Sequence, residues 1–453
     1  MKVPTVEEKL GIEVYASPSP GIGGKIRQFP EDFKVEEILA DGSRAKIDSF
    51  EPEIIQKRGR HLICVLVKRN WDTLQALQEI ARHLNLDEDR IQIAGIKDAK
   101  ALTAQHISIS RFLPDQVSSF QLNGITLHPL RFSSEALFPS LLLGNQFHII
   151  VRAIPCTFPV IEQHIKSVKD ELSSLGGFTN FFGHQRFGTI RPITHLVGKM
   201  LLQGKLESAV FTFLAQPSPK ENPESTEARK QLRDTRDFRE SLHRFPKRLK
   251  YERLMLSHLA KQPRDFAGAF RKLPLKLRKL FVQAYESFLF NKFLSQRIKQ
   301  GISLSEAQTG DYAIYMDEKG LPSPRFTTVD TQSLQNVNKA VIEGEMCLAL
   351  PIVGFRQSLS DGLQGEIERE ILEREGVSPA DFCISLMPEI SVRGGLRTIL
   401  APIIDLSTGE TTEDPANPSK MKTSFAFTLH RGSYATVLLR EFMKPIDMTE
   451  AGF

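Results

Sequence analysis

Cysteine is scarce in this 453-residue chain: Cys64, Cys156, Cys347 and Cys383 lie far apart and never form a C-x-x-C pair. That spacing supports neither a zinc site nor a disulfide framework, so all four are expected to be small buried apolar side chains. Long apolar runs are missing too. "LALPIVGF" (Leu348 to Phe355) is among the longest and falls far short of the roughly 18 residues that a membrane span needs. The first residues, "MKVPTVEEKLGIEVY", lack the basic-then-apolar form of an export signal, so a cytoplasmic location is expected. There is no H-E-x-x-H, no G-x-S-x-G and no Walker A pattern, which leaves metal, acyl-transfer and NTPase chemistry without support. The glycine-rich "GIGGKIR" (Gly21 to Arg27) precedes a strand-like run, whereas a dinucleotide fingerprint needs a strand before it and a helix after it. Neither a metal nor a nucleotide cofactor is expected.

What is present describes a globular protein, with 41% hydrophobic and 25% charged residues and length for two to three domains. The formal net charge is +5. An excess that small points only weakly to a polyanionic partner, because charge must be concentrated on one face to act. Nothing sets the oligomeric state, and a monomer is the simplest expectation.

Periodicity predicts strands at "FKVEEI" (Phe33 to Ile38), "HLICVLVKR" (His61 to Arg69), "RIQIAGI", "AQHISIS", "GITLHPLRFS" and "NQFHIIVRAI". "WDTLQALQEIARHLNL" predicts an amphipathic helix with Leu74, Leu77, Ala81 and Leu84 on one face, capped by Asp72 with Gln75. After about Gly177 the texture changes. From Thr194 to Gln300 it is mostly helical, with a buried stripe expected at Leu277, Phe281, Ala284, Tyr285, Phe288 and Leu289. Residues 301 to 402 read as a smaller α/β continuation. The last segment, "TSFAFTLHRGSYATVLLREFM", returns to a strand, with Phe425, Phe427 and Leu429 on one face, and then a helix capped by Ser433. The economical architecture is one sheet domain made from both chain ends and interrupted by a long insertion.

Single residues invite plain readings. Asp98, in "IAGIKDAKALTAQHISI", is by itself a turn aspartate; Arg27 is a surface cation, Phe147 a core aromatic and Asn145 a turn amide. The basic stretch from Arg229 to Arg253 divides evenly between an ion-paired helix face and a phosphate-tracking surface. The co-occurrence of these pieces in one order changes the reading. "RQFPEDFKVEEI", "AGIKDAKALTAQ", "LLGNQF", "NFFGHQRFG" and "RGSYATVLLRE" follow one another along almost the whole chain. In that order the chain resembles the TruD family of pseudouridine synthases, and its longer insertion is more like the archaeal and eukaryotic branch than the compact bacterial one.

The resemblance implies an α+β protein. Its catalytic fold is a largely antiparallel sheet with flanking helices, formed by residues 1–176 and 403–453, and an α/β TRUD insertion domain spans 177–402. It implies isomerisation of uridine in tRNA, expected at position 13, with the RNA lying in a basic cleft between the domains. Asp98 takes the place of the family's aspartate, as nucleophile or as base at the ribose. Arg27 stands where bacterial members carry lysine and would be its electrostatic partner, with Lys97 as second choice. Phe147 corresponds to the base-stacking aromatic, and Asn145 would read or orient the uracil edge. Phe33 would line the pocket floor, and Arg186 would contact phosphate or buttress the cleft. Glu31 and Asp32 are assigned structural duties at a strand entrance. Two other functions compete: an RNA-binding or RNA-folding factor with a vestigial site, and a hydrolase, which would want a second positioned carboxylate.

Overall fold

The computed structural model describes residues 2–48, 59–118 and 120–453. The chain divides into two compact units. The sheet unit comprises Ser17–Phe178, Asp317–Leu321 and Ala401–Phe453; the insertion unit comprises Met1–Ala16, Thr179–Met316 and Pro322–Leu400. Two short segments therefore group differently from the division expected above. The first sixteen residues pack with the insertion unit, where Leu10 and Ile12 are buried. Asn291 Nδ2 donates to the Leu10 carbonyl at 3.0 Å, and Ser295 Oγ accepts from the Glu13 amide at 3.0 Å. Residues 317–321 are the second segment, a turn that belongs to the sheet unit.

The sheet unit is built on β1 (Phe33–Leu39), β2 (His61–Arg69), β3 (Ile91–Ile93), β4 (Leu102–Ser110), β5 (Ile125–Ser133), β6 (Leu142–Ile154), β7 (Ile404–Thr408), β8 (Thr412–Glu413) and β9 (Met421–His430). The strands lie in the order β7-β9-β6-β1-β4-β2-β5, with β8 on β9 and β3 on β4. Every pairing is antiparallel except β1 with β4. Both chain ends thus meet in one sheet.

Helices cover one face of that sheet at its two sides. Helix α1 (Thr73–His83) buries Thr73, Ala76, Ile80 and Ala81, and its apolar residues join Leu62, Cys64, Leu66, Ile107 and Ile109 of β2 and β4. The Asp72 carboxylate caps it, accepting from the Leu74 and Gln75 amides. Leu74 was expected on the buried face but is 53% exposed: one residue after Thr73, it is turned about 100° away from the 73-76-80 row. On the other side lie α2 (Phe158–Leu175) and α3 (Ala435–Met443), with Phe442 of α3 tilted against Phe425 of β9 at 5.0 Å. Ser433 does not cap α3. Tyr434 holds the cap position with an extended backbone, so Ser433 falls one residue outside.

The insertion unit centres on the helix Leu275–Lys299, which buries Phe281, Ala284, Tyr285, Phe288 and Leu289, while Leu277 is half-buried. A four-stranded sheet runs in the order Gly395–Thr398, Met346–Ile352, Tyr312–Met316, Pro322–Thr328. The cysteines are not uniformly buried: Cys64 is buried, Cys156 and Cys347 are half-buried, and Cys383 is exposed beside a short helical turn. No described helix is long and apolar enough to cross a membrane.

Candidate active site

Strand register decides which side chains meet between the two helical covers. Phe147 of β6 lies opposite Val35 of β1 and Phe427 of β9. Two residues earlier, Asn145 lies opposite Glu37 and Leu429. Because side chains alternate along a strand, these two rows share one face. On the next strands Val35 pairs with Thr103, and Thr103 with Lys68. The row through Phe147 is apolar toward β9 and polar toward β2.

The segment from Ala94 to Ala101, between β3 and β4, carries Asp98 and is fastened at several points. Thr73 Oγ1 accepts from the Lys97 amide and donates to the Lys97 carbonyl, both at 3.1 Å. The Lys97 ammonium donates to Glu37 Oε2 at 2.5 Å, with both side chains almost wholly shielded from solvent. Gln105 Nε2 donates to the Gly95 carbonyl. From β2, the buried Lys68 ammonium donates to the Asp98 carbonyl at 2.6 Å and the Trp71 carbonyl at 2.8 Å. The Asp98 carboxylate is thereby set opposite Arg27, whose Nη2 donates to Oδ1 at 2.6 Å.

Two further contacts hold Arg27. Its Nη1 donates to the Gly452 carbonyl at 2.9 Å, and its guanidinium lies 4.0 Å from the centre of the Phe33 ring. Its backbone is in the left-handed region, φ 58°, a conformation that costs a non-glycine residue roughly 1–2 kcal/mol. Phe33 packs edge-on to Phe147 at 6.2 Å, and Phe147 stacks on Phe427 at 5.4 Å. A continuous line of contacts therefore runs from the carboxylate through the guanidinium to the aromatic floor.

Burial sets the electrostatics. Loss of water pushes the Lys68 pKa down to about 8, although Asp98 and Asp72 favour its charge. Burial pushes the Glu37 carboxyl up, but bonding from His106 and the Lys97 charge outweigh it, and the net shift is downward. Three acceptors near Glu37, Asn145 Oδ1, Gln105 Oε1 and Thr103 Oγ1, are buried with no hydrogen-bond partner among the described residues. Buried polar atoms are seldom left so. No cluster of His, Cys, Asp and Glu able to hold a metal ion occurs among the described residues.

The family model described as tRNA pseudouridine synthase D (TruD) matches residues 9–442. The chain belongs to the TruD family. It is 38% identical over 452 residues to a Methanosarcina mazei protein named probable tRNA pseudouridine synthase D, covering 99% of this chain and 100% of that one. A Thermococcus sibiricus protein of the same name is 37% identical, with coverage of 95% and 97%. A crystal structure from Methanosarcina mazei that carries the TruD name superposes with a TM-score of 0.82 at 38% identity, over 98% of this chain and 99% of the other. The α+β architecture expected from the sequence, sheets with flanking helices and an insertion, is thus that of a TruD protein.

Of the residues singled out in the TruD motifs, the structure brings Asp98, Arg27, Phe33, Phe147 and Asn145 to one face of the sheet unit. Lys97 is not an alternative partner for Asp98 and not an RNA contact, because its ammonium is buried against Glu37. Phe147 is only 6% exposed, so most of its ring is already covered. Asp32 is buried, bonded to Arg152 Nε at 2.8 Å and to the Phe29 amide at 2.9 Å. Glu31 pairs at the surface with Arg69. Arg186 lies in the insertion unit, where its Nε donates to Ser287 Oγ at 3.1 Å and its guanidinium sits 5.7 Å from the Phe182 ring centre. Glu37, Lys68 and Gly452 were missed. The first two face inward by strand alternation, which was the available signal; nothing in the sequence pointed to Gly452.

Proposed function

We propose that this chain isomerises uridine to pseudouridine in tRNA, with Asp98 as the carboxylate at ribose C1′ and the uridine at position 13 as its target. The reaction breaks the bond from C1′ to N1, turns the uracil and joins C1′ to C5, so atoms and electrons balance within the nucleotide. The observation that carries the reading is the Asp98–Arg27 pair on a segment fastened from three sides. A carboxylate held that firmly meets a sugar carbon without first being ordered, and such preorganisation lowers a barrier.

The target base must leave its stack at a cost of a few kcal/mol. Contact with the Phe147 ring offsets part of that, since base–aromatic stacking contributes about 1–3 kcal/mol. The uracil imide N–H is the natural donor for Asn145 Oδ1. Residues 177–402 act as the insertion that helps seat the tRNA, Arg186 supports that unit from within, and the enzyme works as a cytoplasmic monomer. A binding factor with a vestigial site would have no need for a strained Arg27 held against a carboxylate. A hydrolase would want a free second carboxylate, whereas Glu31, Asp32 and Glu37 are each committed to a cation.

The test is the pseudouridine content of an unmodified tRNA transcript incubated with the protein or with Asp98→Asn. Formation at one uridine by the wild type alone is expected. Equal activity of the variant overturns the role of Asp98; binding without modification across a panel of tRNAs moves the binding-factor reading ahead.

A further inference from the structure

We infer that Lys68 is a positioning residue, whose ammonium holds Asp98 in working geometry by gripping its main-chain carbonyl from the sheet below. The inference rests on the reading of Asp98 as the catalytic carboxylate.

Lys68 is the last residue but one of β2 and is fully buried. A buried ammonium is costly unless its hydration is replaced, and here no carboxylate lies within ion-pair distance among the described residues. Main-chain oxygens replace the water instead: Asp98 at 2.6 Å, Trp71 at 2.8 Å and, more weakly, Lys97 at 3.5 Å. Three ammonium hydrogens thus face three carbonyls. An apolar side chain would serve the packing of β2 at lower cost, so the charge acts on behalf of the loop. Thr73 and Glu37 fix residue 97; Lys68 reaches the carbonyl of Asp98 itself, directly after the Cα that carries the carboxylate.

This arrangement depends on a proton. Burial lowers the Lys68 pKa to about 8, with Asp98 on the loop and Asp72 at the cap of α1 holding it up and Lys97 pushing it down. Two further charges stand one contact away, Arg27 on Asp98 and Glu37 on Lys97. A neutral amine keeps two hydrogens and turns a lone pair toward carbonyl oxygens, so the cage loses one donor and gains a repulsion. Fold stability moves the other way. A lysine whose folded pKa lies below its unfolded value of about 10.4 adds stability as pH rises through that interval. Activity should therefore fall where the fold is not weakened by this group.

The experiment measures single-turnover pseudouridine formation, tRNA affinity and Tm from about pH 6.5 to 9.5 for the wild type, Lys68→Arg, Lys68→Met and Asp98→Asn. The expected result is a wild-type rate that declines above about pH 8 while affinity and Tm hold. Lys68→Met should lose about tenfold or more and lack that decline; Lys68→Arg should carry the decline to higher pH. An inactive Asp98→Asn alongside a Lys68→Met with the wild-type rate and profile overturns the inference alone. An active Asp98→Asn overturns the Asp98 reading and this inference with it. Should Lys68→Met not fold, a wild-type rate that stays flat to about pH 9 overturns the inference.

Discussion

Arg27 joins Asp98 through a single 2.6 Å hydrogen bond from Nη2, while its Nη1 is committed to the carbonyl of Gly452. The guanidinium fork is therefore divided between two partners and is not bidentate on the carboxylate. A lysine has one nitrogen and cannot stand at both the Nη1 and the Nη2 positions of that fork. Arg27→Lys should keep the charge and lose the tie to Gly452, lowering the rate of pseudouridine formation about tenfold. Arg27→Ala removes a charged hydrogen bond worth about 1.5–3 kcal/mol, so a loss on the order of 10- to 150-fold is expected. Single-turnover rates beside tRNA affinities check this, and a Lys variant no better than Ala would show that charge alone is not what Arg27 supplies.

Gly452 gives a second handle on the same guanidinium. Its φ is 89°, and a Cβ there would stand 2.1 Å from the Ile26 carbonyl oxygen, next to Arg27 in sequence. Gly452→Ala must therefore shift the segment that offers its carbonyl to Arg27. The expected outcome is a several-fold slower reaction with tRNA affinity unchanged, measured under the same single-turnover conditions. An unaltered rate would mean that the C-terminal contact is incidental.

Glu37 and Lys97 make a buried ion pair, and removing one member leaves the other charge stranded. Glu37→Gln should cost about 3–5 kcal/mol of stability, and Glu37→Gln combined with Lys97→Met should recover much of it. The pH dependence has a fixed sign. Glu37's folded pKa is lowered despite its burial, because the His106 bond and the Lys97 charge prevail. Its stabilisation is present above the unfolded value of about 4.3 and is lost as pH falls through the folded value. Denaturant melts at neutral and acid pH should show a shallower acid limb for Glu37→Gln.

These residues also mark how far the sequence could be read. Asp98, Arg27, Asn145 and Phe147 were legible because short motifs name them together with their neighbours. Their support was not, because it is built from distant segments: the partner of Lys97 lies 60 residues away, that of Lys68 30, and that of Arg27 beyond 400. Glu37 and Lys68 occupy inward positions of correctly read strands, yet a charged residue there resembles a strand end until its partner is known. The basic stretch from Arg229 shows the same limit. Arg229 is buried and bonded to Glu221 and Glu252, and Arg236, Arg244 and Arg248 each face a glutamate. Only the packing of helices brings most of those acids into reach, and it favours the ion-paired reading of the stretch.

Asn145 offers a prediction in which stability and activity part. Its Oδ1 is buried without a partner among the described residues, and leaving such an acceptor unmet costs about 1–3 kcal/mol. A residue kept for the fold would lower stability when removed. Asn145→Ala instead deletes the unmet acceptor, so stability should be unchanged or slightly higher, as happens where a site is kept at the expense of the fold. On the role proposed for Asn145, holding the imide edge of the uracil, the rate should fall. One charge-neutral hydrogen bond of about 0.5–1.5 kcal/mol corresponds to roughly 2- to 12-fold, and more if the base is left to turn freely. Asn145→Asp should do worse than Ala in both respects, since it sets a second carboxylate opposite Glu37 in the strand pair. Melting curves and single-turnover rates on the same three proteins decide it. A marked loss of stability in Asn145→Ala, with the rate retained, would return Asn145 to an ordinary strand amide.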